Sequence, residues 1–220
     1  HMYFQSRMQA GAELGQQLFE KYRYENCAVL ALGEGGVLVG EQIAVRLHCV
    51  LMMLLSESID VPGEGLSFGA VSQSGKFTYN SDFSSGEIRE YTNEFHGYLE
   101  QQKQQAYQRI NRLLGDGGIV DAALLKDRTV ILVSDGFGDN LSSLDVALGF
   151  LKSIRIEKLV VALPVCSIAA VDRLHITVDD LHILDVKENF MGINHYYEDN
   201  ELPSREETVA KINQVIMNWR

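Results

Sequence analysis

"VILVSDGFGDNLSS", residues 130–143, decides how the rest of the chain is read. The apolar run Val130–Val133 has the composition of a strand covered on both faces. Ser134, Asp135 and Gly136 break the run. A helix is then expected over 141–151, with Asn140 placed as its N-cap. Strand, glycine-containing turn and helix start together make an anion site, because the first N–H groups of a helix have no partners of their own. Yet two acids, Asp135 and Asp139, stand in this turn, and negative charge opposes an anion.

The same alternation extends along the chain. Ser6 and Gln9 form a capping box, and Leu14, Leu18 and Tyr22 recur every four residues, predicting a helix over 7–22. "CAVLAL" (27–32) is a strand, "GEGG" (33–36) a turn and 37–47 a helix. "VLMMLL" (50–55) is the next strand, and "DVPGEG" breaks it. Residues 66–80 read as a β-hairpin turning at "SQSG", the one antiparallel addition. Residues 86–114 carry Ile88, Tyr91, Phe95, Leu99, Ile110 and Leu114 at helical spacing. "GDGGIVDAALL" is a loop. "TVILV" (129–133), "KLVVALPV" (158–165) and "LHILDV" (181–186) are strands around a short helix, "IAAVDRL". Ser204 and Glu207 form a second capping box and open a closing helix. Strands alternating with helices require crossovers. The expected fold class is therefore α/β, a mainly parallel sheet flanked by helices with a β-hairpin insertion.

Composition narrows the function classes. The chain has 220 residues, with 46% hydrophobic, enough for a sizeable core. A formal net charge of −11 argues against a general attraction to nucleic acid or to an anionic membrane. No apolar run reaches the ~18 residues needed to span a bilayer. Cys27, Cys49 and Cys166 lie far apart with no CxxC spacing, so neither a disulfide framework nor a zinc site is suggested, and a reducing cytoplasm fits. One domain is expected over 7–218. Residues 1–6 read as an N-terminal tail or partial tag remnant, since "YFQS" is similar to a protease-tag scar.

Several motifs are weighed and set aside. "GLSFG" (65–69) matches the letters of a nucleophile elbow, but a loop precedes it and strand-like sequence follows, so Ser67 lacks the strand–turn–helix setting. "GEGGVLVG" (33–40) has Leu38 where a dinucleotide fingerprint needs its third glycine, and no G-K-[ST] marks a P-loop. It is nonetheless a glycine-rich turn after a strand, where ligands of open α/β sheets gather. His48, His96, His175, His182 and His195 show no metal-ligand spacing. "DGFGDN" lacks the glycine and glutamate of a calcium loop. No metal-ligating residues are assigned.

Taken together, these stretches resemble the type I phosphoribosyltransferases, in particular a subgroup of predicted enzymes of about this length. The family loop, V-[IL]-[LV]-V-D-D-G-x-[AT]-T-G-[AT]-T, corresponds to Val130–Ser142. A subgroup segment like A-L-P-R-G-G-V-P-V-G corresponds to "ALGEGGVLVG", E-L-A-I-G-A-V to "GLSFGAV", and W-Y-E-D-F to "HYYEDN". The resemblance runs in order from about Arg7 to Ile212. It implies a phosphoribosyl pyrophosphate site. The loop acids would hold the ribose hydroxyls, and the following N–H groups and hydroxyls the 5′-phosphate. The turn Gly33-Glu34-Gly35-Gly36 would hold pyrophosphate, with Mg2+ bridging pyrophosphate and ribose if the protein is active.

Carried over residue by residue, that site is altered. Asp135 matches the second acid and is the implied catalytic residue, but Ser134 replaces the first. Gly136, Phe137, Gly138 and Leu141 continue the loop. Asp139 stands at a threonine-type position, Asn140 replaces a glycine, and Ser142 keeps a hydroxyl. Glu34 stands where the subgroup has arginine, and "SESI" (56–59) where it tends to have a basic pair. A carboxylate roughly 5 Å from a phosphate, at an effective dielectric near 20, repels by about 3 kcal/mol. The expectation is an impaired site, non-catalytic or repurposed for ligand binding. An active transferase acting on a nitrogenous base, and an interaction or scaffold protein, stay open as alternatives. The partners implied are phosphoribosyl pyrophosphate or a nucleotide-like molecule and, in a homodimer, a second copy. The backbone donors of the loop are expected to face the ligand, with charge the obstacle.

Overall fold

The computed structural model describes residues 3–114 and 121–219, with the backbone alone at 113, 114 and 216–219. The middle of the expected loop, 115–120, lies outside the described residues. The chain forms two compact units, one of residues 1–53, 119–139 and 154–220, the other of 54–118 and 140–153. No shift in composition marks these junctions, which is why the sequence reads as one span.

The first unit holds β1 (Cys27–Leu32), β2 (Val50–Leu54), β6 (Thr129–Val133), β7 (Lys158–Ser167) and β8 (Asp180–Lys187), in the order β2-β1-β6-β7-β8. The β1–β6, β6–β7 and β7–β8 pairs are parallel. Every residue of β1, β2 and β6 is buried, as their continuous apolar runs require. Helices α1 (Arg7–Tyr22), α2 (Gly33–Leu47), α5 (Ile168–Thr177) and α6 (Arg205–Trp219) belong to this unit. The caps form as expected: Ser6 Oγ accepts from Gln9 N–H at 3.0 Å, and Ser204 Oγ from Glu207 N–H at 3.1 Å. Two expectations are corrected. The "GEGG" stretch is not a separate turn: Gly33 makes the whole reversal with φ +71°, a conformation open to glycine, and α2 starts there. Nor are residues 3–6 a tail. Phe4 is buried and bridges to Tyr197, with Phe4 N–H donating to Tyr196 O at 2.8 Å and Glu198 N–H to Phe4 O at 2.9 Å.

The second unit is built on β3 (Ser56–Asp60), β4 (Ser67–Ser72) and β5 (Phe77–Tyr79), an antiparallel sheet in that order. The hairpin is present, but it has a third strand. β3 escaped notice because only Ile59 of "SESID" is buried, so no apolar alternation shows. Helices α3 (Ser85–Leu114) and α4 (Ser142–Leu151) pack on this sheet. α3 spans the expected stretch, with a non-helical residue at Phe95 (φ −118°, ψ 24°).

Candidate functional site

Strands β1 and β6 are parallel and in register, so their C-terminal ends lie side by side. The glycine start of α2 and the loop after β6 meet there as the sequence predicts. A Cβ on Gly35 would stand 2.0 Å from Asp135 Oδ2, so only glycine permits the approach.

The Asp135 carboxylate is tied to Arg7. Arg7 Nε donates to Asp135 Oδ2 at 2.8 Å, with side-chain exposures of 2% and 15%. Nη1 donates to Asn200 Oδ1 at 3.0 Å and Nη2 to Asn194 Oδ1 at 2.7 Å. The guanidinium carbon lies 4.4 Å from the centre of the Tyr197 ring. Tyr197 in turn donates its hydroxyl to Asp135 O at 2.5 Å. The planar guanidinium thus meets a carboxylate, two amide oxygens and an aromatic face, which use its fork of donors and its π surface together. Burial pushes the Asp135 carboxyl above its usual range, and the Arg7 hydrogen bond and charge oppose the shift. Burial, then the charge of Asp135, pushes the Tyr197 phenol up, so its proton stays in place.

The loop after Asp135 spends its polar groups on itself and on β7. Ser134 Oγ donates to Gly136 O at 3.0 Å and accepts from Gly136 N–H at 3.3 Å. Phe137 N–H donates to Val165 O at 3.3 Å, and Ser167 N–H to Phe137 O at 2.9 Å, making a parallel bridge to β7. The expectation that these donors face a ligand is therefore corrected for Gly136 and Phe137. Gly138 lies against the Phe190 ring, and Asp139 is exposed.

Glu34 is not a bare charge: Arg205 Nε stands 2.6 Å from Glu34 Oε1, joining the starts of α6 and α2. In the second unit, Asn140 Oδ1 accepts from Ser142 N–H at 3.0 Å, so Asn140 caps the start of α4 although Leu141 holds the N-cap position. The Ser142 hydroxyl is buried and shares a 2.9 Å hydrogen bond with Ser67 Oγ. Ser67 thus serves a strand–helix contact.

Sequence reading missed Arg7, Asn194, Asn200 and Arg205. Arg7 looks like an ordinary polar residue in a first helical turn, and only the fold carries it 128 positions away to Asp135. The polar loop "NHYYEDN" was the one usable signal, since it supplies Asn194, Tyr197 and Asn200. As for Mg2+, among the described residues no three His, Cys, Asp or Glu side chains are grouped to hold a metal. The one loop acid at the sheet end already faces a guanidinium, which repels a second cation.

No family model matches the sequence. Among solved structures, the chain is similar to TT1426 from Thermus thermophilus, with 28% identity, 99% of each chain covered and a TM-score of 0.74. It is also similar to a purine phosphoribosyltransferase from Pyrococcus horikoshii, with 12% identity, 92% of this chain and 96% of that one covered, and a TM-score of 0.49. A hypothetical protein from Neisseria gonorrhoeae with bound ppGpp gives 10% identity, 100% and 99% coverage, and a TM-score of 0.46. The last two are too distant to bear on activity. The five-stranded sheet with its parallel pairs, flanked by helices, and the separate small antiparallel sheet bear out the expected α/β class.

Proposed function

We propose that this chain is a phosphoribosyltransferase-like protein with an impaired phosphoribosyl pyrophosphate site, one that no longer transfers phosphoribosyl groups and keeps the fold for binding. The observation that carries the reading is the 2.8 Å pair between Arg7 and Asp135, closed to solvent on the arginine side. The acid that the family resemblance assigns to ribose is the counter-ion of a side chain from α1. With Oδ2 accepting from Arg7, Asp135 offers ribose only its remaining lone pairs, and a ribose that drew the carboxylate away would leave a buried guanidinium without its partner, at a cost of about 3–5 kcal/mol. The hydroxyl of Ser134, which stands in place of the first ribose acid, and that of Ser142, which the resemblance offers to phosphate, are likewise engaged within the protein. The ligand class that fits what remains is a nucleotide-like molecule held more weakly than a substrate.

The test is release of pyrophosphate from phosphoribosyl pyrophosphate with Mg2+ and a panel of purine and pyrimidine bases. No release above the protein-free rate is expected. Turnover with any base overturns the reading.

A further inference from the structure

The contacts around Arg7 make a complete recognition site in their own right. Three donors of one planar group, Nε, Nη1 and Nη2, each meet an oxygen at 2.7–3.0 Å, from Asp135, Asn200 and Asn194. The Tyr197 ring covers a face of the same group at 4.4 Å. The walls of this box are held without Arg7. Tyr197 is fixed by its hydroxyl on Asp135 O, and Asn200 Nδ2 donates to Asn194 O at 3.0 Å and to Tyr197 O at 2.8 Å. The backbone of 196–199 is paired with Phe4 and Gln5. A ligand site needs such preorganisation, because walls that collapse on emptying spend binding energy on being rebuilt.

We infer that the C-terminal end of β6 carries a guanidinium-binding site, filled by the chain's own Arg7 and able to accept a free alkylguanidinium cation once that side chain is removed. Selectivity follows from shape. An ammonium is a compact point donor, and it cannot place three divergent in-plane donors on these oxygens while presenting a flat face to Tyr197. The site therefore discriminates between two cations of equal charge. Arg7 is the plug of the box, and it occupies Asp135 Oδ2. The inference deepens the function proposed above, yet it is tested with guanidinium alone, so the two can fail separately.

The experiment uses the full chain with Arg7→Ala, titrated with propylguanidinium and, separately, with propylammonium at equal ionic strength. Thermal melting reads the result. At ten times its Kd, propylguanidinium is expected to raise the Tm of the variant by roughly 3–6 °C. Propylammonium should shift it by less than about 1 °C, and Asp135→Asn added to the variant should abolish the guanidinium effect. The parent protein, whose box is full, should show no rise with either cation. If Arg7→Ala does not fold unaided, refolding yield replaces Tm, and propylguanidinium alone should restore it. Equal responses to the two cations, no response to either, or an undiminished response after Asp135→Asn each overturns the inference.

Discussion

Replacing Asp135 by asparagine should be among the most damaging single-atom changes in this protein. The substitution keeps the shape and one acceptor oxygen, but removes the charge facing Arg7. Arg7 is 2% exposed, so water cannot take over. Breaking one side of a buried pair costs about 3–5 kcal/mol, and the surviving acceptor places this case near the lower figure. For a chain of this size, about 3 kcal/mol corresponds to a fall in Tm of roughly 6–12 °C. Arg7→Met alone should cost a similar amount, because it strands the carboxylate. The double variant, with neither charge, should lose less than the sum, by a coupling of about 1–3 kcal/mol. Urea denaturation of the four proteins at pH 7 gives the cycle. A loss below ~1 kcal/mol for Asp135→Asn, or strict additivity, would refute the claim that this pair organises the sheet end.

Three further outcomes are expected. Gly35→Ala places a Cβ 2.0 Å from Asp135 Oδ2 and should cost at least about 2 kcal/mol in urea titration, whereas Gly97→Ala, whose Cβ meets nothing within 4 Å in α3, should stabilise by about 0.5–1 kcal/mol. At the opposite end of the sheet, Asp180 Oδ2 accepts from Lys21 Nζ, Tyr22 Oη and His182 Nε2. Burial acts to raise the Asp180 carboxyl, but these three donors outweigh it and hold the group below its ordinary 3.8, so its stabilisation is present above that pH and lost as pH falls below it. Burial, then the bond to Asp180, raises the Tyr22 phenol above its ordinary 10.0, so its share is complete below pH 10 and lost as pH rises further; melting curves of parent and Asp180→Asn across both ends of the range should converge outside this window.

The fold was legible because β1, β2 and β6 are buried on both faces and carry unbroken apolar runs, while caps at Ser6 and Ser204 mark helix starts. β3 was illegible for the opposite reason: four of its five residues are not buried, so its sequence carries no apolar signature. At the site, Gly35 and Asp135 were read correctly as neighbours. Their partners were not, because Arg7, Asn194 and Asn200 are polar residues whose role depends on contacts 128 to 193 positions apart. Glu34 shows the limit of counting charges along a chain. Arg205 answers it across 171 positions, so Glu34→Arg would set two arginines against each other rather than restore a phosphate site. On the function proposed above, the obstacle to phosphate binding is shape as well as charge, since Gly136 and Phe137 have already spent their N–H groups.

The central claim, that the phosphoribosyl pyrophosphate site is impaired, is tested most directly by calorimetric titration of the parent protein with phosphoribosyl pyrophosphate and Mg2+ at moderate salt. The expected result is a Kd of about 100 µM or weaker, a binding free energy of about −5.5 kcal/mol or less favourable. A clear low-micromolar Kd would contradict it, showing that the pair with Arg7 does not keep Asp135 from ribose.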